Sequence, residues 1–354
     1  MRTAKRQLRT ANSEQRTANC ELNHPVSEDE IVHLLRSQFG KKIPSLLKGI
    51  GDDAAVVHPD GAREDWVVTT DVLEEGVDFQ IGWTRPELLG HKTAAANLSD
   101  IAAMGVRPRF YVVALSIPSN ISGRWIRAFY SGLTALCDAF GASLIGGDLS
   151  RSPGGIHISM TVLGESLNRR VTYRSGGKPG DLIYATGSLG GASAGLRLLQ
   201  RGCHQGRTAA QREALSAQRT PLPRCCEGLW LSQSGFVRCM MDISDGLSMD
   251  LPRMCEESGT GAEIFLSQIP VFKGSASLGF EPIELALHGG EDFELLFCVP
   301  RRSATAFSAS YPADLAPATC IGRLTAGCSI FYANKPGTKK RPLPAIGFDH
   351  FRKI

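Results

Sequence analysis

The stretch that most constrains how this chain can fold is the heptapeptide Gly49-Ile50-Gly51-Asp52-Asp53-Ala54-Ala55, which places two adjacent carboxylates in a glycine-containing turn. Neighbouring aspartates repel each other, so the folded chain has to bring a cation to them; the heptapeptide itself contains no Lys or Arg, although Lys48 adjoins it. A divalent metal is one solution, because Mg²⁺ binds carboxylate oxygens and completes its shell with water and phosphates. An ordinary turn is the other, because Asp and Gly are common turn residues.

Length and composition predict a globular protein with two domains. A chain of 354 residues exceeds the size at which a single hydrophobic core stops growing. No run of residues is long and apolar enough to span a bilayer, and the first residues lack the apolar block of a secretory signal, so we expect a cytoplasmic protein with no membrane partner. The ten cysteines do not show the paired short spacings of a zinc site, and we expect most of them to be buried as small apolar residues.

The basic residues do not predict a nucleic-acid partner, although the formal net charge is +4. Much of the excess lies in residues 1–24, which hold five basic and two acidic side chains, and the rest of the chain has no basic stripe interleaved with aromatic residues. The same segment repeats Arg-Thr-Ala at Arg2, Arg9 and Arg16 without the apolar seam of a coiled coil. We therefore predict that residues 1–26 form a disordered N-terminal extension.

From residue 27 onward, strand and helix patterns are mixed along the chain. Ser27 and Glu30 form a capping box ahead of apolar residues at helical spacing. Apolar strands and amphipathic helices then follow, separated by glycine-containing turns. These patterns predict an α/β (α+β) fold with an N-terminal domain at 27–166 and a C-terminal domain at 167–354.

One predicted helix carries polar residues on a single face. A second capping box, Thr84 with Glu87, is expected to open this helix, and Gly105 is expected to end it, because glycine is common at helix C-termini. Polar side chains within the helix are spaced four and three residues apart, so they share one face. That face either meets solvent or contributes to a site. Its polar residues are Thr93, Asn97 and Asp100.

Six aspartates share one kind of setting: a glycine turn, a strand exit or a helix face. Loops beyond strand ends are where open α/β sheets bind ligands. Six such carboxylates without matched basic neighbours are poorly explained as unrelated turns, so the pattern favours a metal site. Oxygen-only ligands, with no His or Cys nearby, indicate Mg²⁺ rather than zinc. The six residues are Asp53, Asp71, Asp100, Asp148, Asp242 and Asp245.

A cluster of hard cations indicates a polyphosphate substrate, because such cations neutralise phosphate charge. The sequence Gly-Lys-Ser/Thr does not occur, so the chain is not a P-loop enzyme. Phosphates would instead be held by metal and by backbone N–H groups of glycine turns such as Gly146-Gly147. Arg174 either adds a fork for a phosphate or is an ordinary surface arginine.

A serine-hydrolase interpretation competes with this one, because Gly191-Ala192-Ser193-Ala194-Gly195 matches the nucleophile-elbow pattern. In that motif a strand runs directly into the first glycine, whereas Gly187-Ser188-Leu189-Gly190 intervenes here. The chain holds 38 glycines, so the match has little weight, and Ser193 stays a minor candidate for a nucleophile.

Eight short motifs resemble those of one family, in the same order along the chain. The resemblance is to the thiamine-monophosphate kinase family, and it spans about residues 27 to 351. The motifs together are highly specific, whereas each one alone is not. They are Gly49 to Ala55, Thr69-Thr70-Asp71, Asn97 to Gly105, Gly146-Gly147-Asp148, Tyr173 to Gly176, Asp242 to Leu247, Gly289 to Asp292, and Gly347 to His350.

The resemblance implies a two-domain aminoimidazole-ribonucleotide-synthetase-like fold whose N-terminal domains pair into a homodimer. It implies ATP-dependent phosphorylation of thiamine monophosphate to thiamine diphosphate, with Mg²⁺. By motif position, the implied Mg²⁺ ligands are Asp53, Thr69, Thr70, Asp71, Asp100, Asp148, Asp242 and Asp245. The implied ATP contacts are Tyr130, Gly147, Arg174 and Ser244, and the implied substrate contacts are Glu291, Phe348 and Asp78.

Asp78 departs from the family pattern. After Glu75-Gly76-Val77 the family commonly has a His that touches the substrate. An anion near the substrate phosphate would be unfavourable unless it is bound to metal or turned away. Glu291 is implied to face the cationic thiamine ring system, and Phe348 is implied to stack on it.

The implied mechanism is direct in-line transfer without a catalytic side chain. The attacking phosphate oxygen is already anionic at neutral pH, so no general base is required, which agrees with the absence of His among the carboxylates. Two alternatives stay open. A selenophosphate-synthetase-like enzyme would need a reactive Cys or selenocysteine with a Lys in an N-terminal glycine-rich loop, whereas Cys20 lies in the polar tail. A non-catalytic Mg-nucleotide sensor would keep the metal site without the chemistry.

Overall fold

The computed structural model describes residues 27–351, so the predicted extension at 1–26 lies outside the described residues. Residues 27–41 and 349–351 group into one compact unit, and residues 42–348 form the other. The smaller unit contains helix α1 (Glu28–Phe39), in which Ser27 and Glu30 make both hydrogen bonds of a capping box. The prediction of this first capping box is confirmed.

The first part of the larger unit is built on a six-stranded sheet with the order β1-β2-β3-β6-β4-β5. Strands β4 and β5 pair in parallel, whereas the other neighbouring pairs are antiparallel. Side chains alternate between buried and more exposed positions along β6, as expected for a sheet with one face on the core. The strands are β1 (Leu46–Lys48), β2 (Ala55–Val57), β3 (Trp66–Glu74), β4 (Arg107–Ile117), β5 (Ser143–Arg151) and β6 (His157–Glu165).

Helices α2 (Pro86–Ala103) and α3 (Gly123–Ala139) pack together. Gly90 allows this approach, because a Cβ at Gly90 would lie 2.0 Å from the carbonyl oxygen of Phe129. Helix α2 is buried on nearly all sides, because it contacts β3 and β6 of the first sheet as well as β8 (Cys239–Ile243) and β10 (Glu294–Val299) of a second sheet. Its alanine-rich sequence fits a helix that packs on several neighbours at once.

The second sheet has seven strands with the order β13-β12-β9-β11-β7-β10-β8. Strands β8, β9 and β10 are buried at every position, so their near-continuous apolar sequences follow from coverage on both faces. The remaining strands are β7 (Leu182–Thr186), β9 (Gly261–Phe265), β11 (Ala318–Thr325), β12 (Ile330–Ala333) and β13 (Arg341–Pro342). The helices are α4 (Gly191–Gln200), α5 (Ala209–Arg219), α6 (Cys225–Ser234), α7 (Leu247–Ser258), α8 (Pro282–His288) and α9 (Ala304–Ser310).

Three local predictions are wrong. Helix α2 begins at Pro86, and its N-cap Arg85 makes no side-chain cap hydrogen bond, because proline is favoured at the first helical position and holds the preceding residue extended. Thr84 and Glu87 therefore do not form a capping box. Asp71, one of the six aspartates assigned to a glycine turn, a strand exit or a helix face, lies within β3, because this strand continues to Glu74. Gly146-Gly147 is not a glycine turn, because it lies within β5.

The mixture of helices and strands agrees with the predicted fold class. The strands of the first sheet end at Glu165 and those of the second begin at Leu182, while the domain boundary between residues 166 and 167 stays a prediction. None of the described helices combines the length and the hydropathy of a membrane-spanning segment.

Candidate active site

Three carboxylates from distant parts of the sequence meet in the larger unit. Asp53 lies in the glycine turn before β2, Asp100 lies in the last turns of α2, and Asp242 lies on β8. One oxygen from each of them lies within 4.8 Å of the others. The helix face whose environment the sequence left open therefore contributes to a site, through Asp100.

Hydroxyl groups hold these carboxylates in place. Thr69 on β3 donates a hydrogen bond to the Asp100 carboxylate, and its Oγ1 also lies 3.2 Å from the carbonyl oxygen of Asp53. Ser99 Oγ donates to Asp242 Oδ2 at 2.6 Å. These contacts join the turn before β2, helix α2 and strand β8, so the cluster is fixed by both sheets.

Asp71 adds a fourth negative charge beside the cluster. Its backbone N–H donates to Asn97 Oδ1 at 3.2 Å. Burial raises the pKa of the Asp100 carboxyl well above its usual range, and the charges of Asp71 and Asp242 raise it further. Burial also raises the pKa of Asp242 to about 7, and the neighbouring Asp53 carboxylate acts in the same direction. The carboxylates thus disfavour one another's charge, as in a site arranged to receive cations.

Basic side chains partly balance these carboxylates, which corrects the premise that the aspartates lack matched basic neighbours. Arg174 binds Asp53 Oδ1 through Nη2 at 2.5 Å and through Nε at 3.0 Å. Lys48 Nζ lies 3.0 Å from Asp52 Oδ2. Burial acts to lower the pKa of Arg174, but the Asp53 carboxylate more than offsets this and raises it. Arg174 is therefore a half-buried ion-pair partner and not a surface arginine.

The arrangement fits a hard divalent cation. The second oxygen of Asp53, Oδ2, is buried and has no hydrogen-bond partner among residues 27–351. A buried carboxylate oxygen without a donor is costly unless a cation binds it. The three clustered side chains offer oxygen donors alone, which suits Mg²⁺ better than zinc. The Mg²⁺ roles of the individual residues stay predictions.

Some predicted ligands lie away from the three clustered carboxylates. Thr70 points to the opposite face of β3 from Thr69, because side chains alternate along a strand, and its hydroxyl donates to the Met160 carbonyl at 3.1 Å. Asp245 forms an ion pair with Arg253. Asp148 lies on β5, in which every residue is exposed.

The predicted ATP contacts are spread over several elements. Gly147 sits in β5 with a φ of +156°, and a Cβ there would lie 2.1 Å from the Val113 carbonyl oxygen, so strand packing already requires a glycine. Tyr130 lies on α3, and its ring packs edge-on against Phe129 at a centroid distance of 5.4 Å. Ser244 follows β8, and its carbonyl accepts a hydrogen bond from the Glu291 N–H at 2.6 Å.

The predicted substrate residues lie near the loop after β8 or near Lys92. The Phe348 N–H donates to the Asp245 carbonyl at 3.3 Å. The Asp78 carboxylate accepts a hydrogen bond from the Glu74 N–H at 2.7 Å, so it turns back onto its own strand end. Glu291 forms an ion pair of 2.5 Å with Lys92. Lys92 was not recognised from the sequence, because its partners are remote in the chain.

Two further residues that sequence reasoning missed shape the loop after β8. Asp250 on α7 accepts hydrogen bonds from the N–H groups of Asp245 and Gly246 at 3.1 and 3.0 Å. Arg253 contacts both Asp250 and Asp245. Their spacing of three residues on a helix is the signal that could have indicated a pair.

The serine-hydrolase alternative finds no support at Ser193. The N–H groups of Gly190 and Ala192 donate to the Asp292 carboxylate at 2.6 and 3.2 Å. Asp292 therefore caps the start of α4 and occupies donors that an oxyanion hole in this turn would need. The Ser193 side chain instead lies against Gly289, where an added Cβ would approach it to 2.5 Å.

Comparison with known proteins first gives the class. Residues 51–166 match the AIR synthase related protein N-terminal domain, and residues 178–333 match the corresponding C-terminal domain. These matches confirm the predicted fold class. The hydrogenase maturation protein HypE shares this fold, with a TM-score of 0.63 at 19% identity over 86% of this chain and 94% of that chain.

Closer relatives then give the family. The thiamine-monophosphate kinase of Escherichia coli K12 is 34% identical over 86% of this chain and 91% of its own length. That of Bacillus subtilis is 33% identical over 86% of this chain and 93% of its own length. The structure of AaThiL complexed with AMPPCP and TMP has a TM-score of 0.80 at 29% identity, covering 92% of this chain and 97% of that chain. The chain belongs to the thiamine-monophosphate kinase family.

Proposed function

We propose that this protein transfers the γ-phosphoryl group of ATP to thiamine monophosphate and so produces thiamine diphosphate and ADP. The observation that carries the proposal is the cluster of Asp53, Asp100 and Asp242 in a chain of the thiamine-monophosphate kinase family. The relative AaThiL, whose structure contains AMPPCP and TMP, supports the choice of substrates.

The proposed reaction is a direct in-line displacement. An oxygen of the acceptor phosphate forms a bond to the γ-phosphorus, the bond from that phosphorus to the β,γ-bridging oxygen breaks, and ADP leaves with the electron pair. The acceptor oxygen is already anionic, so no residue has to remove a proton from it. The clustered metal-ligating groups among the described residues are all aspartates, which agrees with a reaction that depends on positioning and charge.

Asp53, Asp100 and Asp242 would hold the Mg²⁺ ions, with Asp71 and Thr69 beside them. When bound, Mg²⁺ supplies charge that neutralises the phosphates and orients them. Thr69 and Ser99 would keep the Asp100 and Asp242 carboxylates oriented through their hydroxyl groups. Arg174 provides a half-buried guanidinium next to this cluster, which supports its proposed contact with the ATP phosphates.

We also propose that two copies pair through their first sheets, as the family resemblance implies. Strand β5 forms one edge of that sheet, and exposed edges of this kind readily pair with another chain. Apolar side chains are exposed along it, with Leu144 at 42%, Ile145 at 58% and Leu149 at 61%. Sedimentation at equilibrium is expected to give twice the mass of one chain; a monomer at micromolar concentration would contradict the proposal. A cytoplasmic location stays a prediction from composition.

The test of the function is product analysis. Purified protein is incubated with ATP, Mg²⁺ and thiamine monophosphate, and thiamine diphosphate and ADP are separated by chromatography. We expect equal amounts of both products and none without Mg²⁺. Binding of Mg-ATP without any product would favour the sensor alternative, and ATP consumption that requires selenide would favour the selenophosphate-synthetase-like alternative. A radiolabelled phosphoenzyme that builds up during turnover would contradict direct transfer.

A further inference from the structure

A buried lysine and a buried glutamine hold both carboxylate oxygens of Glu291. Lys92 Nζ lies 2.5 Å from Glu291 Oε1, and Gln218 Nε2 donates to Glu291 Oε2 at 2.6 Å. Lys92 also donates to Gln218 Oε1 at 3.1 Å and to the Asp78 carbonyl at 3.2 Å. We call Lys92, Gln218 and Glu291 the Lys92 network. It joins helix α2, helix α5 and the turn before β10.

Glu291 is constrained in its backbone as well. Its φ is +66°, a region that non-glycine residues rarely adopt and that costs about 1 kcal/mol or more. Its N–H is held by the Ser244 carbonyl. A strained residue whose main chain and side chain are both fixed has few alternative orientations. The direction of its carboxylate is therefore set by the surrounding structure.

Exposure differs sharply within the Lys92 network. Lys92 and Gln218 are 6% and 4% exposed, whereas the Glu291 side chain is 28% exposed. Lys92 and Gln218 therefore lie behind the carboxylate, and the carboxylate keeps an accessible side. This is the arrangement expected of a group that contacts a ligand while buried residues support it.

A pocket adjoins the supporting residues. Asp78, Lys92 and Gln218 line it together with the apolar side chains of Phe79, Trp83 and Leu199. Arg219 and Thr84 also line it, and Arg219 Nε and Thr84 Oγ1 have no hydrogen-bond partner among the described residues. The cavity is small, about 20 Å³, so it adjoins the supporting residues without itself having room for an aromatic ligand.

We propose that Lys92 and Gln218 are positioning residues for the acceptor, which act by fixing the carboxylate of Glu291. Lys92 neutralises part of the Glu291 charge, and Gln218 fixes the second oxygen, so a cationic aromatic phosphate ester meets one defined orientation of the carboxylate. This inference rests on the proposed function. A purely structural role, in which Lys92 only connects α2 to α5, makes a different prediction.

The test compares Lys92→Met and Gln218→Leu with wild type. Methionine keeps the length of the side chain and removes the charge. We expect the KM for thiamine monophosphate to rise on the order of tenfold, as for loss of a hydrogen bond to a charged group, while the KM for ATP and kcat change less than twofold. Calorimetry without ATP should show the same weakening of thiamine monophosphate binding. Lys340→Met controls for the loss of a lysine ion pair as such, because Lys340 is 49% exposed and pairs with Glu263 at 3.1 Å outside the Lys92 network.

A second background tests whether Lys92 acts through Glu291. In Glu291→Gln protein, adding Lys92→Met should weaken thiamine monophosphate binding by less than twofold further. The inference would be overturned if Lys92→Met weakened thiamine monophosphate binding tenfold in both backgrounds. It would also be overturned if kcat fell and the KM for ATP rose in parallel with the KM for thiamine monophosphate. If Lys92→Met does not fold, Gln218→Leu is judged by the same criteria. Failure of the proposed function is separate, because wild type itself would then form no thiamine diphosphate.

Discussion

The three-carboxylate cluster and the Lys92 network both involve the buried helix α2, yet their charges are balanced in opposite ways. At the cluster, Asp53, Asp100 and Asp242 converge, and one oxygen of Asp53 is buried without a donor among residues 27–351. In the Lys92 network, both oxygens of Glu291 have partners. The cluster therefore needs a cation in addition to Arg174, whereas Lys92 and Gln218 already satisfy the Glu291 carboxylate.

This difference in charge balance separates two tasks: binding a metal ion and fixing the direction of a carboxylate. A site with excess negative charge is costly until a metal arrives, so metal binding and stability are coupled there. A carboxylate with an internal cation costs less in the free protein and is held in one direction. Substitutions at the two sites should therefore respond differently to Mg²⁺.

Asp242→Asn should have the largest effect. We expect kcat to fall by about 10²- to 10³-fold, because a charge that supports phosphoryl transfer is lost. The free energy of unfolding without Mg²⁺ should rise by about 1 kcal/mol, because the cost of burying the Asp242 charge and its repulsion from Asp53 both disappear. Chromatographic assay and thermal unfolding in EDTA measure the two quantities.

The control for this substitution is Asp181→Asn. Asp181 is a buried carboxylate that pairs with Arg238 at 3.0 Å outside the cluster. The Asp181→Asn variant should keep kcat within twofold, and its free energy of unfolding should fall. A destabilised Asp242→Asn protein in EDTA would argue that repulsion within the cluster is small.

Arg174→Gln should be the most destabilising change at the cluster. It leaves Asp53 without its ion pair, and removal of one partner of a buried pair costs about 3 to 5 kcal/mol. Mg²⁺ should restore part of this loss, because a metal ion can bind the freed oxygen. Urea unfolding with Mg²⁺ and with EDTA measures the difference.

Arg323→Gln provides the comparison for Arg174→Gln. Arg323 is 46% exposed and pairs with the buried Glu263 at 2.7 Å. Lys340 also pairs with Glu263 at 3.1 Å, so Glu263 keeps a cation and the loss of Arg323 should cost about 1 kcal/mol or less. If Mg²⁺ has the same effect on both variants, Arg174 and the metal do not share Asp53.

Asp250→Ala should act through the loop after β8. It removes the acceptor of the N–H groups of Asp245 and Gly246 and should cost about 1 to 3 kcal/mol. We expect a higher KM for Mg-ATP, measured by steady-state kinetics, because Ser244 and Asp245 lie in this loop. An unchanged KM would show that the loop keeps its conformation without Asp250.

Ser193→Ala should have the smallest effect. Its side chain packs against Gly289 and is not part of the three-carboxylate cluster, so kcat should stay within twofold and the free energy of unfolding should change by about 0.5 kcal/mol or less. Loss of all activity in this variant, with the fold retained, would revive the hydrolase alternative.

Sequence reasoning found residues that stand in recognisable short motifs, and it missed the contacts between distant segments as well as the local pair Asp250 and Arg253. Asp53, Asp100 and Asp242 each stand in a recognisable short motif, and the structure brings these three together. The ion pair of Arg174 with Asp53 and that of Lys92 with Glu291 join remote segments, and single-sequence patterns do not specify such contacts. Side chains alternate along a strand, so Thr70 points away from Thr69. The motif resemblance nevertheless implies the same Mg²⁺ role for both residues.

We propose that the charge imbalance at Asp53, Asp100 and Asp242 makes this cluster a Mg²⁺ site and that the Lys92 network is not one. Calorimetric titration of Mg²⁺ into wild type, Asp242→Asn and Lys92→Met protein, with a non-hydrolysable ATP analogue present, tests it directly. We expect Asp242→Asn to bind Mg²⁺ at least about tenfold more weakly than wild type, and Lys92→Met to match wild type. Equal Mg²⁺ affinity in wild type and Asp242→Asn would show that Asp242 is not part of a Mg²⁺ site.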